Sequence, residues 1–177
     1  KSVIVVGNSP TLLGKNLGKI IDSYDIVVRI NKFQGDGYEC DVGTKCNALH
    51  VNESLHPNNF RRIFEKFPNI LWMGTRNRSK FCQKYGFSRF NWKIQEYEKY
   101  GKFTSGLLVM LHILKMTGRP VHVAGIGGHS EPGYYYDQSD KIIDKINTDM
   151  KKLHDYDREQ KVLQELINSG KILRIFT

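Results

Sequence analysis

The stretch VIVVGNSPTLLG, Val3 to Gly14, decides how the rest of the chain reads. Four β-branched residues run into a Gly-Asn-Ser-Pro turn, and a helix-like segment follows; the run predicts a short buried strand. Strand, turn and helix in that order are the layout of a phosphate-binding loop, yet neither common glycine signature is present. A dinucleotide fingerprint needs G-x-G-x-x-G, and here Asn8 to Pro10 fill that space. The Walker pattern also fails, because Gly7 and Gly14 stand too far apart. Asn8 and Ser9 are short neutral donors that suit a single phosphate or a sugar hydroxyl. Taken alone the loop reads equally as an Asn-Ser capped turn with no ligand. Paired with Asn31 at the end of the next strand, it favours a nucleotide monophosphate.

Outward from this stretch, apolar strands alternate with amphipathic helices. The pattern predicts a helix over Leu12 to Ile21, with Leu13, Leu17, Ile20 and Ile21 on one face. A strand follows at Asp25 to Ile30 (DIVVRI), then a loop through NKFQGDGYECDVG, then strands at NALHV and NILWMG with a helix over 57–66 between them. Residues 75–100 are basic and aromatic, with a short helix or two expected. TSGLLVMLHILKMTG is the clearest helix, with Thr104 and Ser105 at its start and Gly118 just past its end. PVHVAGIGG is a strand running into a glycine turn, and residues 127–152 read as a polar lid with one helical piece. HDYDREQKVLQELINSG is a closing helix and KILRIF a last strand. Such alternation predicts one α/β domain over residues 1–177, a Rossmann-like doubly wound, mostly parallel sheet. Ligands in these sheets bind beyond the carboxyl ends of the strands. The polar groups expected there are Asn8, Ser9, Asn31, the Gly125–Gly128 turn and the Thr104-Ser105-Gly106 helix start.

Bulk composition agrees with one globular domain: 177 residues, 40% hydrophobic and 25% charged. The net charge of +9 suits an acidic partner, such as a nucleotide, a nucleic acid, an anionic glycan or an anionic lipid surface. Cys40, Cys46 and Cys82 form no C-x-x-C pair, so neither a disulfide framework nor a zinc site is indicated. No apolar run approaches the length of a membrane span, and no signal peptide is visible. The strand begins almost at Lys1, which leaves open an upstream anchor.

VVGNSPTLLGKNLGKIIDSYDIVVRIN, continued by DVGT at Asp41 to Thr44, resembles the long N-terminal motif of the animal-type sialyltransferases, glycosyltransferase family 29. FTSGLLVMLHILKMTGRPVHVAGIG is similar to that family's short second motif, YYYD at Tyr134 to Asp137 to its third, and HDYDREQ at His154 to Gln160 to its last. Four segments in the right order span nearly the whole chain. The resemblance implies a sialyltransferase-type variant of the GT-A fold and an inverting, metal-independent transfer of sialic acid from its CMP ester to a glycan or glycolipid hydroxyl. It implies no cofactor beyond that donor. Gly7, Asn8, Ser9, Asn31, Thr104, Ser105, Gly106, Gly127, Tyr134 and Tyr135 would form the nucleotide side, with the helix dipole aiding the leaving phosphate. His154 would be the general base. Glu159, five residues on, is expected to hold a loop or cap a helix. DYD at Asp155 to Asp157 has the form of a metal-binding D-x-D string, but it opens a helix, where acidic residues suit the dipole; no metal is expected. His112 and His122 read as structural.

Two departures from the family matter. The family's motif-linking disulfide has no counterpart, since Ser2 and Val3 stand where its first cysteine belongs; this points to a reducing, cytoplasmic setting, with a Golgi-lumen enzyme lacking its anchor as the alternative. Tyr134 stands where the family often has histidine. The phosphate-side residues do not distinguish sialic acid from other CMP-activated acidic sugars such as Kdo. A reading from a different class is a basic α/β nucleic-acid-binding module using TRNRSKFCQKYGFSRFNWK at 75–93. No specific nucleic acid is expected in the transferase reading, where that stretch serves an anionic acceptor or peripheral contact with an anionic membrane surface.

Overall fold

The computed structural model describes residues 1–51, 66, 71–74, 89–90, 103–126 and 132–175. Within them one sheet contains β1 (Val3–Val6), β2 (Ile26–Ile30), β3 (Ala48–Val51), β4 (Leu71–Gly74), β5 (Arg89–Phe90), β6 (Val121–Ala124) and β7 (Ile172–Arg174). The strand order is β5-β4-β3-β2-β1-β6-β7, and every neighbouring pair is parallel. The chain therefore winds from β1 outward to β5, crosses back, and continues through β6 to β7. The order reverses between β1 and β6, which is where a ligand crevice opens in such sheets. The doubly wound α/β expectation holds, and the sheet is parallel throughout these pairs.

Alternation along the strands supplies a core on each face. Ile4, Val6, Val27, Leu49 and Ala124 point to one side with Leu12, Leu17, Ile21 and Val42 from the segments that follow β1 and β2. Val5, Val28, Ala48, Val121 and Val123 point to the other, against Leu107, Val109, Met110 and Ile113 of α3 (Ser105–Thr117) and Leu163 of α5 (Tyr156–Asn168). α3 has the predicted limits: Thr104 is extended at its start, and Gly118, at φ 62°, closes it with its N–H on the Leu114 carbonyl. A left-handed residue there is the usual place for glycine.

The helix expected over Leu12 to Ile21 is replaced by a 3-10 turn (Pro10–Leu12) and the short α1 (Gly18–Asp22). Gly14 and Asn16 between them have φ of 71° and 53°. The cause is distant in sequence: the Asp41 carboxylate accepts from the Gly14 and Asn16 N–H groups at 2.9 and 2.8 Å, which a continuous helix could not offer it. Leu17 and Ile21 are buried as expected, but Ile20 is half exposed. Asp41 itself lies in α2 (Glu39–Val42), inside what reads as loop from sequence. The polar stretch before His154 is more helical than expected, with α4 (Asp140–Lys145), a π-helical turn (Ile146–Met150) and a last turn (Lys151–Leu153). The helix expected over 57–66 lies outside the described residues except for Lys66. From 75–100 only β5 is described, a strand where helix was expected.

Asp22 organises the DVGT turn. Its carboxylate accepts from the Thr44 N–H and hydroxyl and from the Lys45 N–H, all at 2.8–3.0 Å, with the Arg29 guanidinium 3.9 Å away. Burial pushes the carboxyl up, but the bonds from Lys45 and Thr44 and the Arg29 charge outweigh it, so the net shift is down. A carboxyl depressed on folding contributes stability above its unfolded pKa and loses it as pH falls through the folded value. Asp22→Asn is thus expected to be less stable than the parent at neutral pH and to narrow that gap below about pH 4, read as the acid limb of melting temperature against pH. A gap constant from pH 7 to pH 3 would show that Asp22 acts by shape alone.

Candidate functional site

The loop after β1 is built around a close backbone approach to the end of β6. Gly7 donates its N–H to the Ala124 carbonyl at 2.9 Å, and Ser9 donates to the Gly125 carbonyl at 3.1 Å. A Cβ on Gly7 would stand 2.2 Å from the Gly125 oxygen, so only glycine fits. Gly125, at φ 62°, turns the chain away beneath Leu12. Gly7 therefore acts through packing, setting where Asn8 and Ser9 lie.

Asn8 reaches across the switch point. Its carboxamide donates to the Ile30 carbonyl at 2.9 Å, joining the carboxyl ends of β1 and β2. Asn31, next in the chain, holds a left-handed φ of 54° and donates its backbone N–H to the His50 carbonyl. Asparagine tolerates that region better than most residues, which accounts for its place at the strand end. The Ser9 hydroxyl accepts from the Thr11 N–H and hydroxyl, capping the turn at Pro10–Leu12. Asn8, Ser9 and Asn31 thus sit together at the crevice, each with a share in local structure.

The start of α3 enters the same region, held by Glu159. This carboxylate is 3% exposed, and its two oxygens take the Thr104 N–H and Thr104 hydroxyl, both at 2.6 Å. Burial pushes the Glu159 carboxyl up, opposed by those two bonds and by the nearby His154 charge. The expected capping role of Glu159 is what the geometry shows, and it changes the reading of Thr104. Both Thr104 donors are committed to the carboxylate, leaving the first-turn N–H groups from Ser105 and Gly106 onward as the outward donors of this helix end. Gly106 is buried beside Ile126, but a Cβ there would make only ordinary contacts, the nearest at 3.4 Å.

His154 stands two residues before α5, half buried, its ring 5.9 Å from that of Tyr156. Tyr156 in turn lies near Glu159 and Tyr134; burial first, then those neighbours, push its phenol up to about 12. The Asp155 side chain accepts from the Arg158 N–H and caps α5, so the D-x-D string opens a helix as expected. His154 thus lies beside Tyr156, which is near both Glu159 and Tyr134, while Glu159 itself is bonded to Thr104.

That turn, Tyr134 to Asp137, closes on itself by a two-residue bridge. Tyr134 and Tyr136 stack with centroids 5.3 Å apart and planes 16° apart. Lys32, one residue past Asn31, holds its ammonium 5.4 Å from the Tyr136 ring, a cation at the crevice that sequence inspection passed over. Tyr135 points the other way. It is 3% exposed and its hydroxyl is bonded to the Gln34 peptide, so the place predicted for it against a nucleotide is corrected: its phenol is spent inside the protein. Gly127 lies outside the described residues.

The remaining predicted features are structural. His112 is buried in α3, and burial pushes its imidazole pKa down. His122 lies in β6 with its ring 5.2 Å from Tyr24. His50 is fully buried and pushed down to about 3 by burial and by His112. Arg29, 1% exposed in β2, was not singled out from sequence; its Nε donates to the Lys45 carbonyl and its guanidinium lies 4.3 Å from the Phe33 ring centre. Cys46 is buried and its thiol pushed up to about 12, so it is inert, while Cys40 is exposed; both are free thiols. Among the described residues no group of three or more His, Cys, Asp or Glu side chains is arranged to hold a metal ion, and no helix is long and apolar enough to cross a membrane.

With this geometry in view, comparison with known proteins is direct. Residues 1–76 match the family model described as glycosyltransferase family 29 (sialyltransferase). A beta-1,6-galactosyltransferase of Arabidopsis thaliana is 35% identical over 85 residues, 48% of this chain and 18% of its own length. The human CMP-N-acetylneuraminate-beta-galactosamide-alpha-2,3-sialyltransferase 1 is 40% identical over 67 residues, 38% of this chain and 18% of its own. The matches thus span less than a fifth of these relatives. A mammalian sialyltransferase structure shares the fold over 99% of this chain and 68% of its own, at a TM-score of 0.69 and 20% identity. The alpha-2,3-sialyltransferase Cst-I of Campylobacter jejuni does so over 98% and 75%, at a TM-score of 0.60 and 18% identity. The first 76 residues thus resemble glycosyltransferase family 29 in sequence, and the fold along nearly the whole chain is the one seen in solved sialyltransferase structures.

Proposed function

We propose that this chain is the catalytic fold of an inverting, metal-independent glycosyltransferase that moves an acidic sugar, sialic acid foremost, from its CMP ester to a hydroxyl of a glycan or glycolipid. The reading is supported by the approach of Gly7 and Gly106 to the same Ile126 side chain, which sets the α3 start beside the Asn8 loop, and by Glu159, which ties the α3 start to the helix that follows His154. In the proposed reaction His154 takes the proton of the acceptor hydroxyl as its oxygen bonds to the anomeric carbon. The bond from that carbon to the phosphate oxygen breaks, and CMP leaves with the electron pair. Charge growing on the phosphate is met by Asn8, Asn31 and the Ser105 and Gly106 N–H groups at the positive end of α3, preorganised because Glu159 fixes the residue before them. The Tyr134–Tyr136 stack and Lys32 supply an aromatic wall and a cation suited to an anionic donor.

The phosphate side leaves the sugar open, so Kdo on the same CMP handle is a variant of this reading. The Arabidopsis relative's name favours a second one, a galactose donor on this fold. A melting-temperature panel with CMP, CDP, UDP and GDP, each with and without EDTA, separates them. CMP and CDP are expected to stabilise the protein and to keep doing so after chelation; a ligand at 100 times its Kd adds about 2.7 kcal/mol. Stabilisation by UDP alone would support the galactose reading, and its abolition by EDTA would remove metal independence. Indifference to all four nucleotides, with tight oligonucleotide binding that falls steeply with salt, would favour the nucleic-acid module.

A further inference from the structure

Asn8 and Asn31 sit on different loops, and a phosphate gripped by both requires those loops to keep one spacing. The Asn8 carboxamide on Ile30 is one tie between them. A second is made by a residue of neither loop. Tyr135 donates its backbone N–H to the Asn8 carbonyl at 3.0 Å. Its hydroxyl donates to the Gln34 carbonyl at 2.6 Å and accepts from the Gln34 N–H at 3.2 Å, so one phenol satisfies both polar groups of a single residue. The ring meets Tyr38 edge-on at 5.2 Å and Tyr136 edge-on at 5.0 Å. Chiefly through burial, the phenol is pushed up to about 12, so it remains a donor across the working range of pH. Tyr134 and Tyr136, on either side in sequence, stack on each other, leaving Tyr135 as the inward anchor of the turn.

We infer that Tyr135 is a positioning residue that clamps the loops after β1 and β2 together and thereby sets donor affinity without touching the donor. Its effect on affinity rests on the CMP-donor reading above; the clamp does not. One side chain joins segments more than a hundred residues apart in sequence, and it holds the strand-end asparagines at one spacing together with the Asn8 carboxamide.

Tyr135→Phe keeps the ring and removes the Gln34 bonds. Amide hydrogen exchange is expected to accelerate roughly tenfold over residues 31–38, the scale of one to two net hydrogen bonds, with exchange in α3 unchanged. CMP affinity by titration calorimetry is expected to fall by a similar factor. Added to Asn8→Ala, the substitution should lower affinity by much less than it does alone, because the group it positions is already gone. Unchanged exchange over 31–38 overturns the clamp, and fully additive losses in the double variant overturn its action through Asn8. A parent protein that does not bind CMP overturns the donor reading, while the exchange result still decides the clamp. Should Tyr135→Phe fail to fold, Tyr38→Leu loosens the same ring from its other side, and the same exchange readout and outcomes apply.

Discussion

His154→Ala is expected to bind CMP as the parent does and to lose sugar transfer by about 10²–10⁴-fold, the scale of removing a general base. Glu159 is fixed by two short bonds to Thr104, and the His154 ring lies 5.9 Å from that of Tyr156. The Asn8 carboxamide and the Asn31 N–H are bonded to Ile30 and His50, so a truncation at His154 is expected to leave the nucleotide side in place. Steady-state kinetics and a CMP titration together test this. Full transfer activity would remove His154 from the mechanism; equal loss of CMP affinity would make it a binding residue instead.

Gly7→Ala is expected to have the largest effect on the scaffold. The added carbon would lie 2.2 Å from the Gly125 oxygen and 2.7 Å from Ile126 Cγ1. Neither side yields easily, because the Gly7 and Ser9 N–H groups are bonded to the very segment they would have to leave. Overpacking against backbone falls at the upper end of the usual 1–3 kcal/mol. For a chain of this size about 3 kcal/mol lowers the melting temperature by roughly 6–12 °C. CMP affinity should fall with it, since the β1 and β6 turns must part. Gly14→Ala is the contrast: unlike Gly7 it has a positive φ, but open space surrounds it, so backbone strain of about 1 kcal/mol is all it meets. Equal melting temperatures for the two variants would show that the close approach at Gly7 is unimportant.

Most of the sheet was legible in the sequence because buried parallel strands are continuous apolar runs, and VIVV, DIVVRI and PVHVA declare themselves. α3 was legible to the residue, since Thr104 and Gly118 are local signals. What stayed hidden depends on partners remote in the chain. Nothing near Leu12 to Ile21 announces that Asp41 will take the Gly14 and Asn16 N–H groups and break a helix whose apolar spacing is sound. Tyr135 looked like its neighbours because three successive tyrosines carry no mark of which one faces inward; the geometry of the turn decides that. Arg29 reads as one charge within an apolar strand, and its burial follows from Phe33 and the Lys45 carbonyl folding over it. Glu159 was the exception: its offset of five from His154 does not stack the two side chains on a helix, so a structural use could be anticipated.

The adjacency of β1 and β6 has a bearing on how the protein comes into being. During synthesis β1 emerges before β2 and can pair with it soon afterwards, but its other edge has no partner until β6, more than a hundred residues further on, has been delivered. For that interval an apolar strand edge lies open, a hazard for association between nascent chains. Folding of the donor crevice is then a late event, and a fragment ending near residue 76, however well it matches its relatives in sequence, would lack one wall of the crevice.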